Sequence, residues 1–147
     1  MKTLVLTRSD FPAGWKPVTD SAAAPDNSFE DLTGITHDYT AKKESTEFEK
    51  GDQMVDTSAA IVRPGENLGD DAAMLRSPLF AKNLEAVWRE TLKQEIPNGS
   101  VESVPHTPLQ VTKYGQYSIG HRLVTRFRAE GFGADAYFDV VWLAKGR

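Results

Sequence analysis

Tyr117-Ser118-Ile119-Gly120-His121-Arg122-Leu123-Val124-Thr125-Arg126-Phe127-Arg128 is the stretch that decides the fold class. Tyr117, Ile119, His121, Leu123, Thr125 and Phe127 alternate with Ser118, Gly120, Arg122, Val124, Arg126 and Arg128. A period of two puts the first set on one face of a strand and the second on the other, so the stretch predicts a half-buried β-strand. Gly131-Phe132-Gly133 then supplies a turn. The following Ala136-Tyr137-Phe138-Asp139-Val140-Val141-Trp142-Leu143 is apolar almost throughout and predicts a central strand.

Working back from this hairpin, the apolar period changes from two to that of a helix. Phe80, Leu84, Val87, Trp88 and Leu92 fall at i, i+4, i+7, i+8 and i+12, which is one stripe along a helix that stops at Pro97-Asn98-Gly99. Ser77-Pro78 starts it, with serine as the cap and proline at the first helical position, where its missing N–H is not needed. A shorter helix carrying Ala72, Ala73, Met74 and Leu75 precedes it, capped by Asn67 or Asp70, with Asp70 and Asp71 near the positive end of its dipole. Between the long helix and the hairpin, Val101 to Lys113 is interrupted by Pro105 and Pro108 and predicts an irregular or edge strand.

The N-terminal half is richer in turns. His37 to Arg63 predicts two antiparallel strands around a Lys50-Gly51-Asp52 turn, the first of them, Thr40 to Glu49, polar enough for an edge. Asp10-Phe11-Pro12-Ala13-Gly14-Trp15 predicts an ordered loop pinned by Phe11 and Trp15. Residues Thr19 to Asn27 predict a mobile loop, followed by a short helix from Asn27 or Ser28 to Gly34. A run of strands and helices with these connections is an α+β chain, read as a single domain over residues 1–147.

Composition bounds the function. With 147 residues, 39% apolar and 26% charged, the chain can bury a sizeable core, and with no cysteine it has no disulfide, iron–sulfur cluster or thiolate zinc site. A net charge of −4 argues against a dedicated nucleic-acid binder. No apolar run approaches a membrane span, and the opening Met1-Lys2-Thr3-Leu4-Val5-Leu6 is too short for a secretory core. No cofactor is called for.

Motifs with a nucleotide meaning fail their context. Gly131-Phe132-Gly133-Ala134-Asp135-Ala136 matches the dinucleotide fingerprint on paper, but a strand follows it where a helix N-terminus is required. No Walker loop or nucleophile elbow occurs. Asn98-Gly99-Ser100 fits a glycosylation sequon and is first of all a turn.

The three histidines, His37, His106 and His121, have no second ligand at metal-binding spacing. His37-Asp38 has the form of a base with its orienter, in a turn region. His121 lies on the apolar face of its strand, which favours a packed, hydrogen-bonded histidine; the catalytic alternative joins it to Asp139 on the neighbouring strand. Arg122, Arg126 and Arg128 share the other face and, with Trp15, are the candidates for ligand binding: either an anion-holding stripe or a solvated face paired with neighbouring carboxylates.

The order of these pieces resembles a family of small actinobacterial extracytoplasmic domains: secreted lipoproteins, sensor-like domains and the extracellular sensor of PknH-type receptor kinases. Leu6-Thr7 with Asp10-Phe11-Pro12-Ala13-Gly14-Trp15, then Leu75-Arg76-Ser77-Pro78-Leu79-Phe80 with Leu84, Gly115, and Asp139-Val140-Val141-Trp142-Leu143 before Gly146-Arg147, carry the resemblance. It implies a PsbP-like α/β sandwich, a twisted antiparallel sheet with helices on its faces and a groove between layers. Relatives often carry a cysteine pair, one member at the Asn83 position, which this chain lacks. They also usually have one more strand after the Gly-Arg turn. The expected function is a non-enzymatic extracytoplasmic binding or sensing domain for a small ligand, lipid or protein partner. The alternatives are a small hydrolase- or isomerase-type enzyme using a buried histidine with a carboxylate, and a cytoplasmic interaction domain.

Overall fold

A computed structural model describes residues 5–19, 33–95, 100–129 and 132–145. The predicted mobile loop and most of the short helix before Gly34 lie outside these residues, as do the Asn98-Gly99 turn and Gly146-Arg147. The backbone groups into two compact units, one holding residues 36–66 with the N-terminal segment and the other holding residues 33–35 and residue 67 onward.

In the first unit, β1 (Lys16–Pro17), β3 (Phe48–Lys50) and β4 (Gln53–Val55) form a three-stranded antiparallel sheet, and β2 (Tyr39–Glu44) pairs with β5 (Ser58–Val62). The Gly51-Asp52 turn stands where the sequence puts it, with Gly51 at φ +63°, a conformation that glycine adopts without strain. The strand expected over Thr40 to Glu49 is interrupted at residues 45–47. There the Ser45 hydroxyl accepts from the Thr57 N–H at 2.8 Å, and the Glu47 carbonyl accepts from Val18 N–H at 2.9 Å. Phe11 stacks against Trp15 at 4.9 Å and Phe48 at 4.7 Å between centroids, so aromatic packing holds the Asp10–Trp15 loop as expected.

The second unit is helix on sheet. Helix α1 (Leu68–Leu75) is capped by the Asn67 side chain, which accepts from Gly69 N–H at 3.0 Å. Helix α2 (Pro78–Glu95) is capped by Ser77, whose hydroxyl accepts from Phe80 N–H at 3.1 Å. Strands β6 (Ser100–Ser103) and β7 (His106–Leu109) share one edge of β8 (Tyr117–Ala129), and β9 (Phe132–Ala144) covers the other edge along its whole length. Proline explains the break between β6 and β7. Pro105 has no N–H for the ladder, but its carbonyl still accepts from Val124 N–H at 3.2 Å.

The periodicity sorts the faces correctly. Ile119, Leu123 and Thr125 face inward and are buried, and Phe80, Leu84, Ala72 and Leu75 pack on them from the two helices. Trp88 lies parallel to Phe138 at 4.4 Å and donates its indole N–H to the Thr125 hydroxyl at 2.7 Å. One expectation is corrected: β8, not β9, is the central strand. Among the described residues β9 pairs only with β8, and Tyr137, Val141 and Leu143 on its outer face remain 63%, 47% and 47% exposed. Apolar content could not separate a strand covered on both faces from an edge strand with an exposed apolar face. Gly115 turns the chain into β8 at φ +67°, where a Cβ would sit 2.5 Å from the Ala144 carbonyl, so both the conformation and the space call for glycine.

Candidate functional site

Strand register brings two histidines together. His106 stands opposite Leu123, and His121 lies two residues along the same face of β8, a diagonal neighbour within reach of a ring. His106 Nε2 and His121 Nδ1 are 2.7 Å apart, a hydrogen bond between imidazoles. His121 is 6% exposed, and the Phe80 ring meets it edge-on at 5.0 Å between centroids.

Burial, then the charge of His106, lowers the His121 pKa below the ordinary histidine value, partly offset by the Leu75 backbone carbonyl. His121 is therefore neutral at pH 7. Its Nε2 is buried and has no completed hydrogen bond, since the Leu75 carbonyl favours a proton there without reaching bonding geometry. The arrangement that leaves least uncompensated is a proton on Nε2, directed by that carbonyl, with Nδ1 accepting from His106 Nε2–H. Among the described residues this leaves His106 Nδ1 without a hydrogen-bond partner.

A groove of about 560 Å³ opens beside the pair, between the start of α2 and the strands β7 and β8. Such a volume suits a small organic molecule. Pro78, Ala81, Pro108, Leu109 and Ile119 make its walls largely apolar, and Arg76, Lys82 and Glu85 supply its charges. Arg76 approaches the Tyr117 ring at 6.0 Å, and among the described residues neither Arg76 nor Lys82 has an ion-pair partner. The positive end of the α2 dipole, at Ser77 and Pro78, faces the same space.

The sequence candidates are distributed differently. His121 and Asp139 do not meet: Asp139 stands opposite Arg122 on the outer face of the sheet, while His121 stands opposite Val140 on the inner face. The proposed histidine–carboxylate dyad is thus corrected by the pleat, which puts successive residues of a strand on opposite faces, so that Val140 and not Asp139 shares a face with His121. Asp139 instead holds Arg122 through two bonds of 2.7 and 2.6 Å, and the guanidinium lies 5.7 Å from the Tyr137 ring. Arg126 is held by Asp135 at 2.9 Å and Arg128 by Glu102 at 2.8 Å. The hydrogen bonds and charge of their carboxylate partners raise the Arg122 and Arg126 pKa values, and the Arg126 side chain lowers that of Asp135. The arginine stripe is accordingly a paired, solvated face, the second of the two readings given for it.

Trp15 belongs to the aromatic cluster of the first unit. His37 bonds Glu66 at 2.9 Å, which lowers the Glu66 pKa, while Asp38 faces Arg63 at 3.4 Å, so the His37-Asp38 pairing does not form. Among the described residues no group of three metal-ligating side chains converges, and no helix is long and apolar enough to cross a membrane. Sequence reasoning missed His106 as the partner of His121. The available signal was that both flank a proline-broken strand pair, where one register places them diagonally.

Comparison with protein-family models, with curated proteins and with solved structures returned no match.

Proposed function

We propose that this chain is a non-enzymatic binding or sensing module that acts outside the cytoplasmic membrane and holds a small ligand in the groove beside His106 and His121. The observation that carries the reading is the groove itself. It is an apolar-walled space of about 560 Å³ with a few polar groups converging on it, the usual anatomy of a small-molecule site. The chemistry around it favours binding over catalysis: His121 is bonded to a second histidine at 2.7 Å, and Asp139, the carboxylate expected to partner it, is committed to Arg122 on the far face. The extracytoplasmic location and the PsbP-like sandwich rest on the resemblance carried by Asp10–Trp15, Leu75–Phe80 and Asp139–Leu143.

The test is a thermal-shift screen of the full chain against a broad metabolite panel, repeated on Ala81→Trp, which fills the groove from the helix side. Stabilisation of the wild type by at least one compound, lost in Ala81→Trp, is the expected result. No stabilisation by any compound, or stabilisation that Ala81→Trp leaves intact, refutes a ligand held in this groove.

A further inference from the structure

We infer that the ligand of this groove is a small organic anion, a molecule with a carboxylate or phosphate head on a short apolar body. The inference rests on the groove being the binding site and adds the chemical class of what it takes. Two sets of cations in this unit differ in their partners. On the outer sheet face the three arginines each have a carboxylate, at 2.6 to 2.9 Å. In the groove, Arg76 and Lys82 have none among the described residues. Glu85 lines the same space but is not within ion-pair distance of Lys82.

Three further features act in the same direction. The α2 N-terminus adds its positive half-dipole at Ser77 and Pro78. His106 Nδ1 has no hydrogen-bond partner among the described residues and is open to a ligand in the groove. His121, 6% exposed and with no completed bond at Nε2, braces His106 from below without adding negative charge. A lone cation or a helix end would not select a ligand; two cations that meet no carboxylate among the described residues, beside a half-open imidazole pair and over apolar walls, select one that is charged at one end and greasy at the other.

The experiment is an NMR titration of the full chain at pH 7 with four probes sharing one ring: phenyl phosphate, benzoate, benzamide and benzylammonium. Ring resonances of His106 and His121 report the site. The expected result is that phenyl phosphate or benzoate moves those resonances and binds about tenfold tighter than benzamide, with benzylammonium weakest, because two exposed ion contacts and a helix end each contribute modestly. Whichever anion binds tighter identifies the head as phosphate or carboxylate. Arg76→Gln and Lys82→Gln should each weaken it about threefold, while Glu85→Gln tightens it. Both cations are on the surface, so these variants fold. Equal binding of benzamide and the anions overturns the anion assignment while leaving the groove as a site. Anion binding unchanged in the Arg76→Gln/Lys82→Gln double variant, or absent at the histidine resonances, also overturns it.

Discussion

Replacing Thr125 by Val tests whether the side-chain hydrogen bond between Trp88 of helix α2 and Thr125 of the sheet is worth what its geometry implies. Thr125 is fully buried, and its hydroxyl accepts the Trp88 indole N–H at 2.7 Å. Valine keeps the volume and branching but removes the acceptor, so the indole N–H is left pointing at a methyl group. An unsatisfied buried donor costs about 1–3 kcal/mol. Trp88 is only partly buried, which places the expected loss in the lower half, about 1–2 kcal/mol. In urea this appears as a lower midpoint at unchanged m-value, and on heating as a fall of about 2–4 °C for each kcal/mol in a chain of this size. The decisive arm is Trp88→Phe. That substitution keeps a ring on Phe138, which now stacks at 4.4 Å, but deletes the donor. In the Trp88→Phe background Thr125→Val should be neutral or stabilising, because both partners are then apolar, giving a coupling of about 1 kcal/mol or more. If the cost of Thr125→Val is the same in both backgrounds, it reflects packing, and the bond does not bind helix to sheet.

Three further outcomes follow from the same geometry. His121 has a lowered pKa, so below about pH 6.5 the unfolded chain takes up a proton that the folded chain refuses, and stability falls on acidification until the folded pKa is passed; the urea midpoint should drop more between pH 7.5 and 5.5 in the wild type than in His121→Gln, and equal drops would refute burial as the cause. Gly120→Ala puts a Cβ 2.8 Å from the Leu109 carbonyl and 2.9 Å from Val111 Cγ1, and calorimetry should show a destabilisation of about 1–3 kcal/mol, since the nearest obstacle is backbone. Arg122→Ala should leave the thermal midpoint close to that of the wild type and phenyl phosphate binding unchanged, because the Arg122–Asp139 pair is half-exposed and on the opposite face from the groove.

The faces of the second unit were legible because they depend only on period. Ile119, Leu123 and Thr125 inward against Arg122 and Arg126 outward follows from alternation, and Phe80, Leu84 and Trp88 on one stripe follows from helical spacing. The caps at Asn67 and Ser77 were legible because they depend on residues next to each other in the chain. Strand neighbours were not. Which of β8 and β9 is central depends on what covers the far edge of each, and nothing in Ala136–Leu143 encodes that. The His121–Asp139 pairing failed for a related reason. Adjacent strands were foreseen, but whether two residues share a face is decided by register, and a shift of one residue reverses the answer.

The same dependence on register explains why the groove was hidden while the arginine stripe was visible. On a sheet, the neighbouring strand delivers a residue opposite every outward arginine, and here it delivers Asp139 to Arg122 and Asp135 to Arg126. A cluster of cations on a strand is therefore easily neutralised, and its presence in the sequence is weak evidence of a ligand site. Arg76 and Lys82 sit instead around the first turn of α2, beside β7 and β8, and among the described residues neither meets a carboxylate. Two ordinary cations at the start of a helix in the sequence thus become the charged mouth of an apolar groove, and β7, which begins directly after Pro105, brings His106 to the same place. Moving the charge therefore matters more than removing it: exchanging Lys82 and Glu85 preserves composition and helix propensity but places the carboxylate where the ammonium stood. Phenyl phosphate binding should then fall below that of Lys82→Gln, and binding equal to the wild type would show that the groove does not read charge by position.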